Sequence, residues 1–255
     1  SEVVGNMQDG RRIAELVGAG GYAEWALAPS FLSFDLPDGV SDGQALALMV
    51  QGLTAWHLLR TSTRMATGES VVVHAAAGGV GTLAIQLAKL WGAGRVIGVA
   101  SSPEKRALAE QLGADATVDG ATDDLKAALR EANGDAPIDV VLEMTGGNAF
   151  DASFAALGPF GRIATFGMAS RVPPQPIEPR ALMMGSRTVV GFLLSNCIGR
   201  PGMINEPMAE MLNLVAEGTL SPLVGASYAL ADAKQAHEDL RSRRSTGKLI
   251  LDVTR

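Results

Sequence analysis

Cysteine is almost missing from this 255-residue chain: Cys197 stands alone. One thiol closes no internal disulfide and builds no cysteine cage for zinc, so the sequence points to a reducing, cytoplasmic setting. Aromatic residues are scarce at 5% and charged residues reach only 19%. The formal net charge is −6. A mildly acidic chain without long basic runs is a poor partner for nucleic acid or an anionic membrane surface. Its one basic cluster, Arg241, Arg243, Arg244 and Lys248, reads as a solvated helix end and loop. No apolar run approaches the roughly 18 residues of a membrane span. There is no Gly-x-Ser-x-Gly elbow and no motif of a Ser-His-Asp triad. The three histidines are scattered: His57 reads as a surface residue, His74 as packing at a strand end, and His237 as an exposed helix position.

What is abundant is apolar and small. Hydrophobic residues make up 47% of the chain, and there are 30 glycines. The middle alternates β-branched runs with helical patterns. Glu69–Ala75 reads as a buried strand, Val80–Trp91 as a helix and Arg95–Ala100 as a strand. Pro103–Leu112 reads as a helix with Ser102 as its N-cap and Gly113 closing it. The pattern continues with strands at Ala116–Val118, Ile138–Glu143, Gly161–Gly167 and Thr188–Leu193. Helices are expected at Thr122–Asn133, Asn148–Leu157 and Gly202–Glu217. Strands joined by helices of this length imply right-handed crossovers and a doubly wound α/β parallel sheet of about six strands. The ends differ. Arg11–Leu27 reads as short antiparallel strands, with Tyr22 and Trp25 as their core residues. Val224–Tyr228 and Lys248–Val253 read as strands around a helix at Ala231–Arg241. A small β domain built from 1–50 and 222–255 would then flank a dinucleotide-binding domain at 51–221.

The first strand of that sheet runs into Ala76-Ala77-Gly78-Gly79-Val80-Gly81 and then a helix. Small residues at 76, 78 and 81 keep the spacing of a Gly-x-Gly-x-x-Gly fingerprint, with Ala76 in the first place. Gly78 lets the backbone approach a pyrophosphate, and Gly81 lets the helix pack closely on the strand. Unpaired amides of the first helical turn then face the anion. A Gly-rich turn alone is weak evidence. Here it follows a strand and opens a helix, which is the context the motif requires. At the end of the second strand, where an NAD site offers a carboxylate, stand Ala100, Ser101 and Ser102, then Lys105 and Arg106. Hydroxyls and a cation suit a 2′-phosphate, so NADPH is favoured over NADH.

Several segments together resemble the medium-chain dehydrogenase/reductase superfamily, and within it the zinc-independent NADPH:quinone oxidoreductase branch. They are Gly20-Gly21-Tyr22-Ala23-Glu24, Gln51-Gly52-Leu53-Thr54-Ala55, Gly68-Glu69-Ser70-Val71-Val72-Val73, the loop 75–81, Leu112-Gly113-Ala114-Asp115 and Gly247-Lys248. The resemblance implies a Rossmann domain plus a GroES-like β domain. It implies that Thr54 contacts the nicotinamide or phosphate end of the cofactor, that Ser101 and Lys105 read the adenosine 2′-phosphate, that Gly167 lies along the cofactor near the ribose, and that Phe192 and Leu193 flank the nicotinamide. Gln51 stands where zinc relatives place a catalytic cysteine, so no metal is expected. The family's β domain begins well before residue 1, so the GroES-like part is expected to be incomplete and the catalytic acid to lie outside this chain. At Val118-Asp119-Gly120 the chain departs from relatives that carry a tyrosine near the adenosine phosphate.

The resemblance implies hydride transfer to a quinone or an α,β-unsaturated carbonyl, and a homodimer formed through the edge strand 188–193. Two alternatives stand beside it: an enoyl reductase of a biosynthetic pathway, and a non-catalytic NADPH-binding protein.

Overall fold

The computed structural model describes residues 2–27, 29–242 and 245–254. The chain forms two compact units, one from Ser1–Thr54, Gly78–Leu83 and Leu194–Arg255, the other from Ala55–Ala77 and Ala84–Leu193.

The first unit opens with β1 (Glu2–Asn6), β2 (Arg12–Leu16) and β3 (Ser33–Asp35), an antiparallel sheet in that order. Arg11 fixes the turn before β2 by donating to Asp9 at 2.9 Å and to Asp35 at 3.0 Å. Only the first of the two runs expected as strands in Arg11–Leu27 becomes one. The strand ends at Leu16, Gly20 adopts φ +79°, which glycine takes without strain, and the run after it stays irregular. Tyr22 and Trp25, expected in a strand core, are 55% and 84% exposed. Helix α1 (Asp42–Ala47) starts at a full capping box, Ser41 with Gln44. A π-type turn at Leu48–Gly52 leads into α2 (Leu53–His57), and a second such turn follows at Leu58–Ser62.

Strands and helices then alternate as β4 (Ser70–His74), α3 (Gly79–Leu90), β5 (Arg95–Ala100), α4 (Pro103–Gln111), β6 (Ala116–Asp119) and α5 (Leu125–Ala132). The series continues with β7 (Ile138–Glu143), α6 (Gly147–Ala156), β8 (Leu157–Thr165), α7 (Pro179–Gly185) and β9 (Thr188–Gly191). The six strands make one parallel sheet in the order β6-β5-β4-β7-β8-β9. Strands buried on both faces favour apolar residues, and β4 is buried throughout, with Val71, Val72 and Val73 at its centre. Val72, Ile97, Val141 and Ile163 form the sheet's side of a core that α5 and α6 cover with Leu129 and Phe150. Each such side chain contributes about 1.5–3 kcal/mol by leaving water. A polar lock sets the β4–β7 register: the Ser70 amide and hydroxyl both donate to Asp139 at 2.8 Å, and the Asp139 amide donates back to Ser70 Oγ at 3.0 Å.

The chain closes with α8 (Asn205–Ala216), β10 (Val224–Ala229), α9 (Ala233–Arg241) and β11 (Lys248–Asp252), the last two strands pairing in parallel within the first unit. Arg243 and Arg244 of the basic cluster lie outside the described residues. Lys248 corrects the expectation of a solvated cluster: its side chain is only 12% exposed and pairs with Glu2.

Candidate dinucleotide-binding site

Because all six strands of the large sheet run in parallel, their carboxyl ends share one edge. The chain leaves β4 toward β5 on one side and enters β7 on the other, so the strand order reverses between β4 and β7. Crevices at such a reversal are where open α/β sheets take ligands. Within this unit the edge collects Ala76 after β4, Ser101 after β5, Gly167 beyond β8, and Phe192 and Leu193 after β9.

Each is held by backbone geometry. The Ala76 amide donates to Val99 O at 3.0 Å, which folds the turn back onto β5. The fit is tight: a Cβ on Gly98 would stand 3.2 Å from the Ala76 methyl and 3.0 Å from that of Ala109. Ser101 is exposed, while Ser102 caps α4 by accepting from the Lys105 amide at 3.4 Å, with Pro103 at the first helical position. Gly167 lies against the loop after β7, where a Cβ would come within 3.2 Å of Met144 O. That loop is shaped by Glu143, a buried carboxylate accepting from the Thr145 amide at 2.5 Å and the Gly146 amide at 3.0 Å. Burial pushes the Glu143 carboxyl above its ordinary range, against the pull of those amides. The Phe192 amide donates to Thr165 O at 2.9 Å, extending the sheet past β9. Its ring stacks on His57, with centroids 5.5 Å apart and planes 26° from parallel. His57 is 1% exposed, not a surface residue, because helical winding turns it inward against Trp56 and Phe192 while Nδ1 meets Thr61 Oγ1 at 2.9 Å.

The remaining expected residues belong to the other unit. Thr54 is buried on α2, and Gly78, Gly79, Val80 and Gly81 form the turn and first residues of α3. Gly78 makes an isolated parallel bridge with Gly247. Gly79 has no room for a side chain, since a Cβ would stand 2.8 Å from Gln51 Cγ. Lys248, next to the bridge, directs Nζ to Gln51 Oε1 at 3.3 Å and to Glu2. Burial lowers its ammonium to about 8. Reading along the sequence assigned Lys248 no place here: it stood in a basic cluster read as solvated and in the Gly247-Lys248 mark of resemblance.

Among the described residues no three His, Cys, Asp or Glu side chains are grouped to hold a metal ion. Cys197 is buried and its thiol is raised by that burial, so it is not an activated nucleophile.

Residues 79–238 match the family model described as zinc-binding dehydrogenase. A quinone oxidoreductase of Pseudomonas aeruginosa is 34% identical over 244 residues, which cover 95% of this chain and 74% of that protein. The chain belongs to the medium-chain dehydrogenase/reductases, on their quinone oxidoreductase side. The crystal structure of the Thermus thermophilus quinone oxidoreductase, solved also in complex with NADPH, superposes with a TM-score of 0.89. The two are 35% identical, over 99% of this chain and 80% of the other. A Mycobacterium tuberculosis polyketide synthase subunit is 29% identical over 98% of this chain, which spans only 12% of that protein. Among the described residues, no helix of this reductase relative is long and apolar enough to cross a membrane.

Proposed function

We propose that the protein is an NADPH-dependent oxidoreductase that passes hydride to a quinone or an α,β-unsaturated carbonyl without zinc. The observation that supports this reading is the reversal of strand order between β4 and β7 in the parallel sheet, with Ala76 leaving β4 at the sheet's carboxyl edge. In this reading 51–221 is the dinucleotide-binding domain, and 1–50 with 222–255 is part of a GroES-like catalytic domain in a cytoplasmic homodimer. The amides of Gly78, Gly79, Val80 and Gly81 hold the pyrophosphate at the start of α3. Ser101 and Lys105 read the 2′-phosphate. Gly167 leaves the backbone bare along the ribose. Phe192 and Leu193 flank the nicotinamide, and Thr54 contacts its nicotinamide or phosphate end. The cofactor, when bound, supplies the hydride; the protein supplies orientation and a dry pocket. No residue of this chain is assigned as proton donor.

The test is a fluorescence titration with NADPH and with NADH, on the protein and on Lys105→Glu. The expected result is a preference for NADPH of about tenfold or more, erased by the charge reversal. Equal affinities in the unaltered protein would remove the NADPH assignment. Oxidation of NADPH by simple quinones and enones then separates the substrate classes. The polyketide synthase match favours one second reading, an enoyl reductase, for which enoyl thioesters would be turned over and quinones would not.

A further inference from the structure

The carboxyl end of β5 carries a cation that the family resemblance does not assign. Arg106, on α4, reaches back so that Nη1 donates to Ala100 O at 3.3 Å. Ala100 is the strand-end position at which NAD sites present their carboxylate to the ribose, and where an arginine suits a 2′-phosphate instead. The same nitrogen lies 3.2 Å from Asp119 Oδ2. Asp119 ends β6 and pairs in register with Ala100. Its other oxygen accepts from the Ala121 amide at 3.0 Å, which pins the carboxylate in place. The Arg106 side chain is 22% exposed, so the guanidinium is held and still open to solvent. Both partners take Nη1, which leaves Nη2 and Nε as donors in a fixed fork, the geometry that matches a phosphate.

We propose that Arg106 is a specificity-determining residue for the 2′-phosphate of the dinucleotide, with Asp119 as its positioning residue. This rests on the NADPH reading above. Asp119 has two opposing effects. It holds the guanidinium at the strand end, and its negative charge repels the incoming phosphate. An amide at this position keeps the hold through its oxygen and removes the repulsion.

The experiment measures dissociation constants of NADPH, NADH and adenosine 2′,5′-bisphosphate for the protein, Arg106→Ala, Arg106→Lys and Asp119→Asn. For Arg106→Ala, affinity for NADPH and the bisphosphate is expected to fall about tenfold or more, with NADH affinity unchanged, since a hydrogen bond to a charged group is lost. Arg106→Lys is expected to recover part of that loss, and Asp119→Asn to tighten NADPH without changing NADH. The unchanged NADH affinity doubles as the check that each variant is folded. If the unaltered protein prefers NADPH and Arg106→Ala keeps the same preference, the inference is overturned while the NADPH reading stands. If the unaltered protein shows no preference, both fall. If Asp119→Asn weakens NADPH and NADH alike, the positioning role of Asp119 is wrong.

Discussion

Ala75 turns the chain out of β4 with φ +50°, a conformation that crowds a side chain's Cβ against the backbone. Strain of that kind is tolerated where the surroundings fix the turn, as the Ala76–Val99 hydrogen bond does here. Glycine relieves the crowding but gains freedom in the unfolded chain. Ala75→Gly should therefore stabilise the protein by a net of about 0.5–1 kcal/mol, read as a higher thermal midpoint. A lower midpoint would mean that the methyl packs usefully. One residue earlier, His74 is buried, bonded to Ser153 Oγ at 2.8 Å, and lowered by desolvation to about 4 from 6.5. Between those values the unfolded chain binds a proton that the native state refuses, so stability falls as pH drops through this window. The loss approaches about 3 kcal/mol near the lower end. Urea unfolding near neutral pH and at about pH 5 measures it. His74→Gln should flatten this part of the pH dependence, and an unaltered slope would assign it to other groups. These residues also mark what sequence could reveal. The glycine spacing was legible because strand, loop and helix are contiguous. Lys248 and His57 were not, because distant or winding-dependent neighbours bury them.

At the scale of elements, legibility followed local signals. Helix α4 begins at Ser102 and Pro103 and stops before Gly113, which takes φ +109°. Each signal is a single residue whose chemistry allows few alternatives. Helix α5 was expected from Thr122 but starts at Leu125, because the Thr122 amide closes a turn on Asp119 O while Asp124 accepts from the Ala127 amide at 2.9 Å. Three acidic or hydroxyl residues in one short stretch, Thr122, Asp123 and Asp124, compete for the cap, and only geometry chooses. Asp124→Ala should cost about 1 kcal/mol and speed hydrogen exchange in the first turn of α5. A loss within error would show that the cap is redundant. The short strands β1 and β3 gave weaker signals: they are half exposed, and their pairing lies between segments, not within them.

For the molecule as a whole, the doubly wound parallel sheet of about six strands was legible because crossovers by helices of this length permit few topologies. The edges were legible only by resemblance. Among the described residues, strand β9 is one edge of the sheet and pairs with β8 alone. An open edge invites pairing with another chain. Just before it, α7 buries none of its residues, and Met183 and Met184 are 70% and 72% exposed. Two large exposed apolar side chains on the helix that leads into an open edge strand are what a two-fold interface would cover, because β9 can meet its own copy across the axis. Sedimentation velocity should therefore find a dimer that dilutes to monomer. The double variant Met183→Glu and Met184→Glu should shift the protein to monomer at all working concentrations, because like charges would face each other across the axis. Both side chains are exposed, so the monomer's own core is untouched. Its loss of stability should be only the part that dimerisation supplied, which vanishes as the unaltered protein is diluted. A double variant that still sediments as a dimer would place the interface elsewhere and leave β9 guarded by something other than its copy.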